Sequence, residues 1–128
     1  LDINLERYVK VQNIEANTAL DIARTLVLPA AIRYLAQVAA VAGASKAANA
    51  LCGEIASLVD ELGEAIEALE HQQHVAHDAG SVEAEAEAFA HAVIPAQNTL
   101  RGVVDALEGL VADDLWPMPK YRELLFQY

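Results

Sequence analysis

The stretch LCGEIASLVDELGEAIEALE, residues 51–70, decides the fold class. Leu51, Ile55, Leu58, Leu62, Ile66 and Leu69 recur at steps of three and four, which puts them on one face of a helix. Glu54, Asp60, Glu61, Glu64, Glu67 and Glu70 fill the opposite face. One stripe seeks a core and the other seeks water, so the segment is an amphipathic surface helix. Its natural limits lie outside the quoted residues. Ser45 is a good N-cap, and Gly80 suits the turn that ends it, giving a helix over about 46–78.

Similar stripes flank it. Upstream, Ala16, Leu20, Ala23, Val27, Ala30, Tyr34, Val38 and Val41 share one face of a helix over about 3–42, with Gly43 as its stop. Leu26, Leu28, Ile32 and Leu35 widen that apolar surface, so burial on more than one side is expected. Downstream, Ser81 caps a helix over about 82–112 whose stripe is Val82, Ala86, Phe89, Val93, Ala96, Leu100, Val103, Leu107 and Leu110. Pro29 and Pro95 fall inside these two helices. Each removes a backbone donor and crowds the preceding turn, so a kink or break is expected, near Thr25 to Leu28 in the first case. The short connections at 43–45 and 79–81 make successive helices antiparallel neighbours. The fold expected is all-α: an elongated antiparallel bundle of three long helices, each of ~30 residues spanning ~45 Å. A short C-terminal helix or tail follows. After Trp116-Pro117-Met118-Pro119 a helix is expected to resume near 119–126, and the apolar tail should pack on the bundle or on a missing neighbour.

Composition agrees with one helical domain. Of 128 residues, 55% are hydrophobic and only ten are Gly or Pro, enough for a core and too few breakers for a loop-rich fold. Cys52 is the only cysteine, so no internal disulfide is possible. It lies beside Leu51 and reads as a buried structural thiol. No basic-then-apolar leader opens the chain, and the charge-free run Tyr34–Ser45 is short against the ~20 residues of a membrane span. A soluble, cytoplasmic protein is expected. Net charge is −11, and residues 51–128 carry fifteen acidic and three basic side chains. Nucleic-acid recognition requires the reverse, a basic stripe facing phosphates.

The densest constellation of reactive side chains is His71, His74, His77 and His91 with Glu83 and Glu87. An antiparallel hairpin brings the end of the second helix to the start of the third. Imidazole and carboxylate can bind zinc or iron, so His71, His74, His77, Glu87 and His91 are the metal candidates. Yet His at a helix C-terminus and Glu at an N-terminus also complement the helix dipole, which makes a solvated tip the preferred reading. No glutamate is followed three residues later by histidine, as a di-iron bundle needs. There is no phosphate loop, no nucleophile elbow and no paired-cysteine site. No catalytic, cofactor or metal residue is assigned. Arg24 and Arg33 interrupt an apolar helix, and such arginines pair with carboxylates at helix or domain contacts.

Two stretches carry a family resemblance. One runs Glu6-Arg7-Tyr8-Val9-Lys10, Asn13-Ile14-Glu15-Ala16, then Leu28-Pro29-Ala30-Ala31-Ile32-Arg33-Tyr34. The other runs Ala106-Leu107-Glu108 to Asp114-Leu115-Trp116-Pro117-Met118-Pro119-Lys120-Tyr121-Arg122-Glu123-Leu124-Leu125-Phe126. Together they resemble the C-terminal region of type III glutamine synthetases. That resemblance implies a parent enzyme that makes glutamine from glutamate, ammonia and ATP with magnesium or manganese, in a large ring-based homo-oligomer. It also implies that the catalytic machinery lies upstream of this region. Leu1 opens within a helical stretch without methionine, as expected for part of a larger chain. Arg33, Tyr34, Trp116 and Phe126 are the candidates for contact with the upstream catalytic domain or other subunits. A free-standing adaptor that binds a partner helix is the alternative, followed by a His/Glu metal-binding bundle.

Overall fold

The computed structural model describes residues 2–120, with side chains from Asn4 onward. The described residues are all-helical, without strands, and form three long rods. Rod one is α1 (Asp2–Ile22), a π-helical turn (Ala23–Val27) and α2 (Leu28–Ala39). A 3-10 turn (Ala42–Ala44) leads to rod two, the uninterrupted α3 (Lys46–His77). Rod three is α4 (Val82–Ala88), a second π-helical turn (Phe89–Val93) and α5 (Ile94–Leu110). The 32 residues of α3 span ~48 Å at 1.5 Å per residue, and rods one and three pack along it.

Both expected N-caps are present. Ser45 Oγ accepts from the Ala48 amide at 3.3 Å and Ser81 Oγ from the Ala84 amide at 3.1 Å. Each satisfies a donor that has no partner inside its helix. Gly80 takes φ +92°, a left-handed value that a side chain disfavours, and so lets the chain reverse between α3 and α4. Rod one ends at Ala39, two residues before Val41, which leaves Val41 53% exposed rather than in the stripe.

The two prolines produce widened turns instead of breaks. Pro29 and Pro95 have no N–H, and a regular α-turn would press each ring against the carbonyl four residues back. In both rods a five-residue π-turn ends two residues before the proline. The Leu28 amide reaches back to the Ala23 carbonyl, and the Ile94 amide to the Phe89 carbonyl. Each proline then sits in the first turn of the following α-helix, where a missing donor costs little. The same widening carries Ala23, Val27, Phe89 and Val93 into the core, all at 1% exposure or less.

The core joins Leu20, Val27 and Ala31 of rod one to Leu62, Ile66 and Leu69 of α3 and to Phe89, Val93, Leu100 and Leu107 of rod three. The acidic residues named on the outer face of α3 are all exposed. Cys52 is half-buried, so the expectation of a fully buried thiol is corrected: α3 turns it to the edge of the core. Burial on more than one side, expected for the whole of rod one, is uneven along it: α1 packs on both α3 and rod three, whereas α2 packs on α3, and Leu26 is left 40% and Ile32 48% exposed. By length and composition Asn4–Ala44 passes the test for a membrane span, a test that core helices also pass, and only 22% of its most apolar window is buried. The charge-free run Tyr34–Ser45 is only part of this segment, since Arg33 is the single charged residue between Thr25 and Ser45.

Beyond α5 the chain hooks back. The Leu115 and Trp116 amides donate to the Ala112 carbonyl at 3.0 and 3.1 Å. Trp116 is 6% exposed, within the core cluster, with Leu115 and Met118 packed beside it. Pro119 and Lys120 are not helical, and the remainder of the helix expected over 119–126, Phe126 included, lies outside the described residues.

Candidate functional site

The His-bearing tip is a junction of three helices. The ring of His77, at the end of α3, places Nδ1 2.9 Å from Glu85 Oε2 on α4 and Nε2 3.1 Å from Asn13 Oδ1 on α1. An ionised carboxylate can only accept, so Nδ1–H donates to Glu85. The ring also meets the Phe89 ring edge-on, with centroids 5.9 Å apart. One turn back on α3, Gln73 Nε2 donates to Asn13 Oδ1 and Asn17 Oδ1, both at 2.8 Å. Gln73 is only 8% exposed, and these two bonds give both hydrogens of its amide a partner in a place where water is scarce.

This geometry disperses the metal candidates. His71 and His74 are exposed on α3, His91 is exposed on the second π-turn, and Glu87 is exposed on α4. Among the described residues no group of three or more His, Cys, Asp or Glu side chains is placed to hold a metal ion. His77 faces Glu85 rather than Glu87, because the α-helical period turns Glu87 outward while the first turn of α4 faces α3. Sequence reasoning missed Glu85, Asn13, Asn17 and Gln73. A signal for Gln73 did exist: it continues the core stripe Leu62, Ile66, Leu69, so a polar residue occupies a core position and requires polar neighbours.

The arginines separate. Arg24 forms an ion pair with Glu70 across rods one and two, the helix–helix carboxylate contact expected for it. Both side chains are 41–47% exposed, so the pair is worth about 0–1 kcal/mol. Arg33 is exposed and has no ion pair among the described residues. Tyr34 is half-buried against the core. Leu28, Ile32 and Leu35 follow one another at helical spacing along one edge of the buried stripe of α2: Leu28 packs against the core, Leu35 is half-buried and Ile32 is exposed.

Trp116 and Lys120 form the second built feature. The Lys120 ammonium donates to the Val111 carbonyl, lies 2.9 Å from Asp113 Oδ1 and sits 5.9 Å from the centroid of the Trp116 ring. Lys120 is 8% exposed, so this charge is held by an ion pair, a carbonyl and an aromatic face together. Sequence reading had passed over Lys120, since nothing local distinguishes a lysine that folds inward.

Comparison with known proteins adds the following. The family described as glutamine synthetase C-terminal domain matches residues 1–46, which contain α1, α2 and the stretches Glu6–Lys10, Asn13–Ala16 and Leu28–Tyr34. The chain is 32% identical to a type-3 glutamine synthetase of Dictyostelium discoideum over 98% of its own length and 19% of that protein. It is 27% identical to a glutamine synthetase of Bacteroides fragilis (strain YCH46), again over 98% of this chain and 19% of the relative. The chain therefore spans about a fifth of the length of the curated relatives it matches. The Trp116-bearing stretch lies outside residues 1–46, so the family match rests on rod one.

Proposed function

This chain belongs to the glutamine synthetase family as a C-terminal domain, and on that premise we propose that it is a non-catalytic docking element of an ATP-dependent glutamate–ammonia ligase. In this reading the uncovered face of α2 seats the domain against the catalytic part of the parent or a neighbouring subunit. The observation that carries the proposal is the apolar edge of α2 formed by Ile32, exposed, and Leu35, half-buried, inside the family-matched segment, with Leu28 one turn back packed partly on the core. An apolar edge left open in this way suits burial against protein. Fully burying an exposed aliphatic side chain contributes about 1.5–3 kcal/mol, and less for one already half-buried such as Leu35. Arg33 and Tyr34, expected at a domain contact, lie on other faces of α2, Tyr34 against the core, and stand outside this one. ATP, magnesium or manganese and the reacting groups belong to the catalytic part, in a cytoplasmic homo-oligomer, and the outer face of α3 remains in solvent.

The test replaces Ile32 by Asp in the parent enzyme. Assembly, followed by sedimentation velocity, should weaken, and glutamine synthesis should fall with it. Glu61→Gln on the outer face of α3 should leave both unchanged. Wild-type assembly and activity in Ile32→Asp would refute the docking role.

A further inference from the structure

We propose that His77 is a proton-operated relay: the charge of its ring sets which way the carboxamides of Asn13, Gln73 and Asn17 face, and so whether the polar groove between α1 and α3 meets donors or acceptors there. The relay does not depend on the docking role, since none of these residues lies on α2. Its chain of contacts is unbroken: Glu85 Oε2 to His77 Nδ1 at 2.9 Å, His77 Nε2 to Asn13 Oδ1 at 3.1 Å, and Gln73 Nε2 to Asn13 Oδ1 and Asn17 Oδ1, both at 2.8 Å. Each link needs a hydrogen, and neither an ionised carboxylate nor an amide oxygen supplies one. Both ring nitrogens of His77 therefore face acceptors. This is the arrangement of the doubly protonated, cationic ring.

A neutral ring has one hydrogen, and Glu85 holds it on Nδ1. The bare lone pair of Nε2 then meets the Asn13 oxygen, a repulsive contact. One rearrangement restores every link. Asn13 turns its NH2 toward the ring and Gln73, Gln73 turns its oxygen toward both asparagines, and Asn17 turns its NH2 toward Gln73. An amide nitrogen carries two hydrogens and an amide oxygen two lone pairs, so the same contacts are met with their direction reversed. Gln73 is 8% exposed, so a half-turned relay would leave a buried amide facing like atoms, and the three turn together. The His77 side chain is 45% exposed, which lets the departing proton reach water. The groups that face the ring are Glu85 from α4, Asn13 from α1 and the Phe89 ring from the second π-turn, with Asp78 adjoining it at the helix C-cap. The groove beside it, about 470 Å³, adds Asp21 and Arg24 from rod one and Glu70 and His74 from α3, with Arg24 paired to Glu70. Asn13 and Asn17 line that groove, and the atom each turns away from Gln73 changes from donor to acceptor as the ring loses its charge.

Nitrogen NMR of the 128-residue chain, taken through the pH range in which imidazole changes charge, tests this. At the acid end both ring nitrogens of His77 should carry protons. At the alkaline end Nδ1 should stay protonated and Nε2 should not. A scalar coupling should then appear between Nε2 and the Asn13 side-chain nitrogen, which requires an N–H···N bond between them. The side-chain NH2 signals of Asn13, Gln73 and Asn17 should move with the same midpoint as the ring. In His77→Gln, at an exposed position that lets the variant fold, those signals should no longer change with pH. An alkaline ring protonated on Nε2, absence of the coupling, or Gln73 signals that ignore the ring's midpoint would each overturn the proposal. Movement that persists in His77→Gln would also overturn it, by assigning the response to His74 or the acidic groups of the groove.

Discussion

Rod one and rod two follow the same helical rules and treat their outer faces in opposite ways. Outside its buried stripe, α3 carries a dense row of carboxylates, all exposed. Outside its own stripe, α2 carries Ile32, exposed, and Leu35, half-buried. The buried faces are alike: Ile55, Leu62 and Leu69 on α3 and Val27, Ala30 and Ala31 on rod one are each at 0% exposure. Burial within the bundle thus leaves an outer face on α2 and on α3 that it does not explain. The chemistry of the other face reports what each rod meets beyond it, solvent for α3 and protein for α2. The second assignment is the proposal made above.

Substitutions can break this contrast or sharpen it. The largest effect is expected in the shared core, where Phe89→Ala should cost about 3–5 kcal/mol in chemical denaturation, because the ring is fully enclosed and its loss leaves a cavity. Trp116→Ala should cost nearly as much, about 3–5 kcal/mol, if the hook after α5 is part of that core. A melting temperature equal to the wild type's would show that the hook is peripheral. Trp116→Phe should cost clearly less than Trp116→Ala, because the indole Nε1 is buried without a hydrogen-bond partner among the described residues.

Smaller effects follow at the helix boundaries and on the outer faces. Ser81→Ala removes the cap of α4 and should cost about 1 kcal/mol by thermal melting, with the change centred on the α3–α4 reversal. Arg24→Ala should cost under about 1 kcal/mol, and the difference should shrink further in high salt. The smallest effect is the most informative. In the 128-residue chain Ile32→Asp should change stability by no more than about 0.5 kcal/mol, because its side chain is already half in water. A loss comparable to that of Phe89→Ala would erase the distinction between the inner and outer faces of rod one.

Much of the candidate site was hidden from one-dimensional reading for a physical reason. The His71, His74, His77 spacing makes the three residues look equivalent, yet only His77 reaches partners, because its ring alone points to where α1 and α4 converge. Glu85 and Glu87 look equally suited to it, and the turn of α4 selects Glu85. Lys120 is an ordinary surface residue by type and becomes buried because the chain reverses after Val111 and brings Asp113 to its ammonium. Arg24 was legible, since a charge inside an apolar stretch needs a counter-charge and α3 carries a row of them.

By itself the sequence determined the all-helical class, the three rods and their serine caps. Those follow from side-chain period and from hydrogen bonds within a few residues. It also determined where each proline would disturb its rod. Only the tertiary structure decided how: Ala23, Val27, Phe89 and Val93 are drawn into one core, and a π-turn lets each rod keep its helix while bringing them there. It likewise decided which apolar stripes meet inside the bundle and which one stays open, because that depends on how many rods are available to cover it.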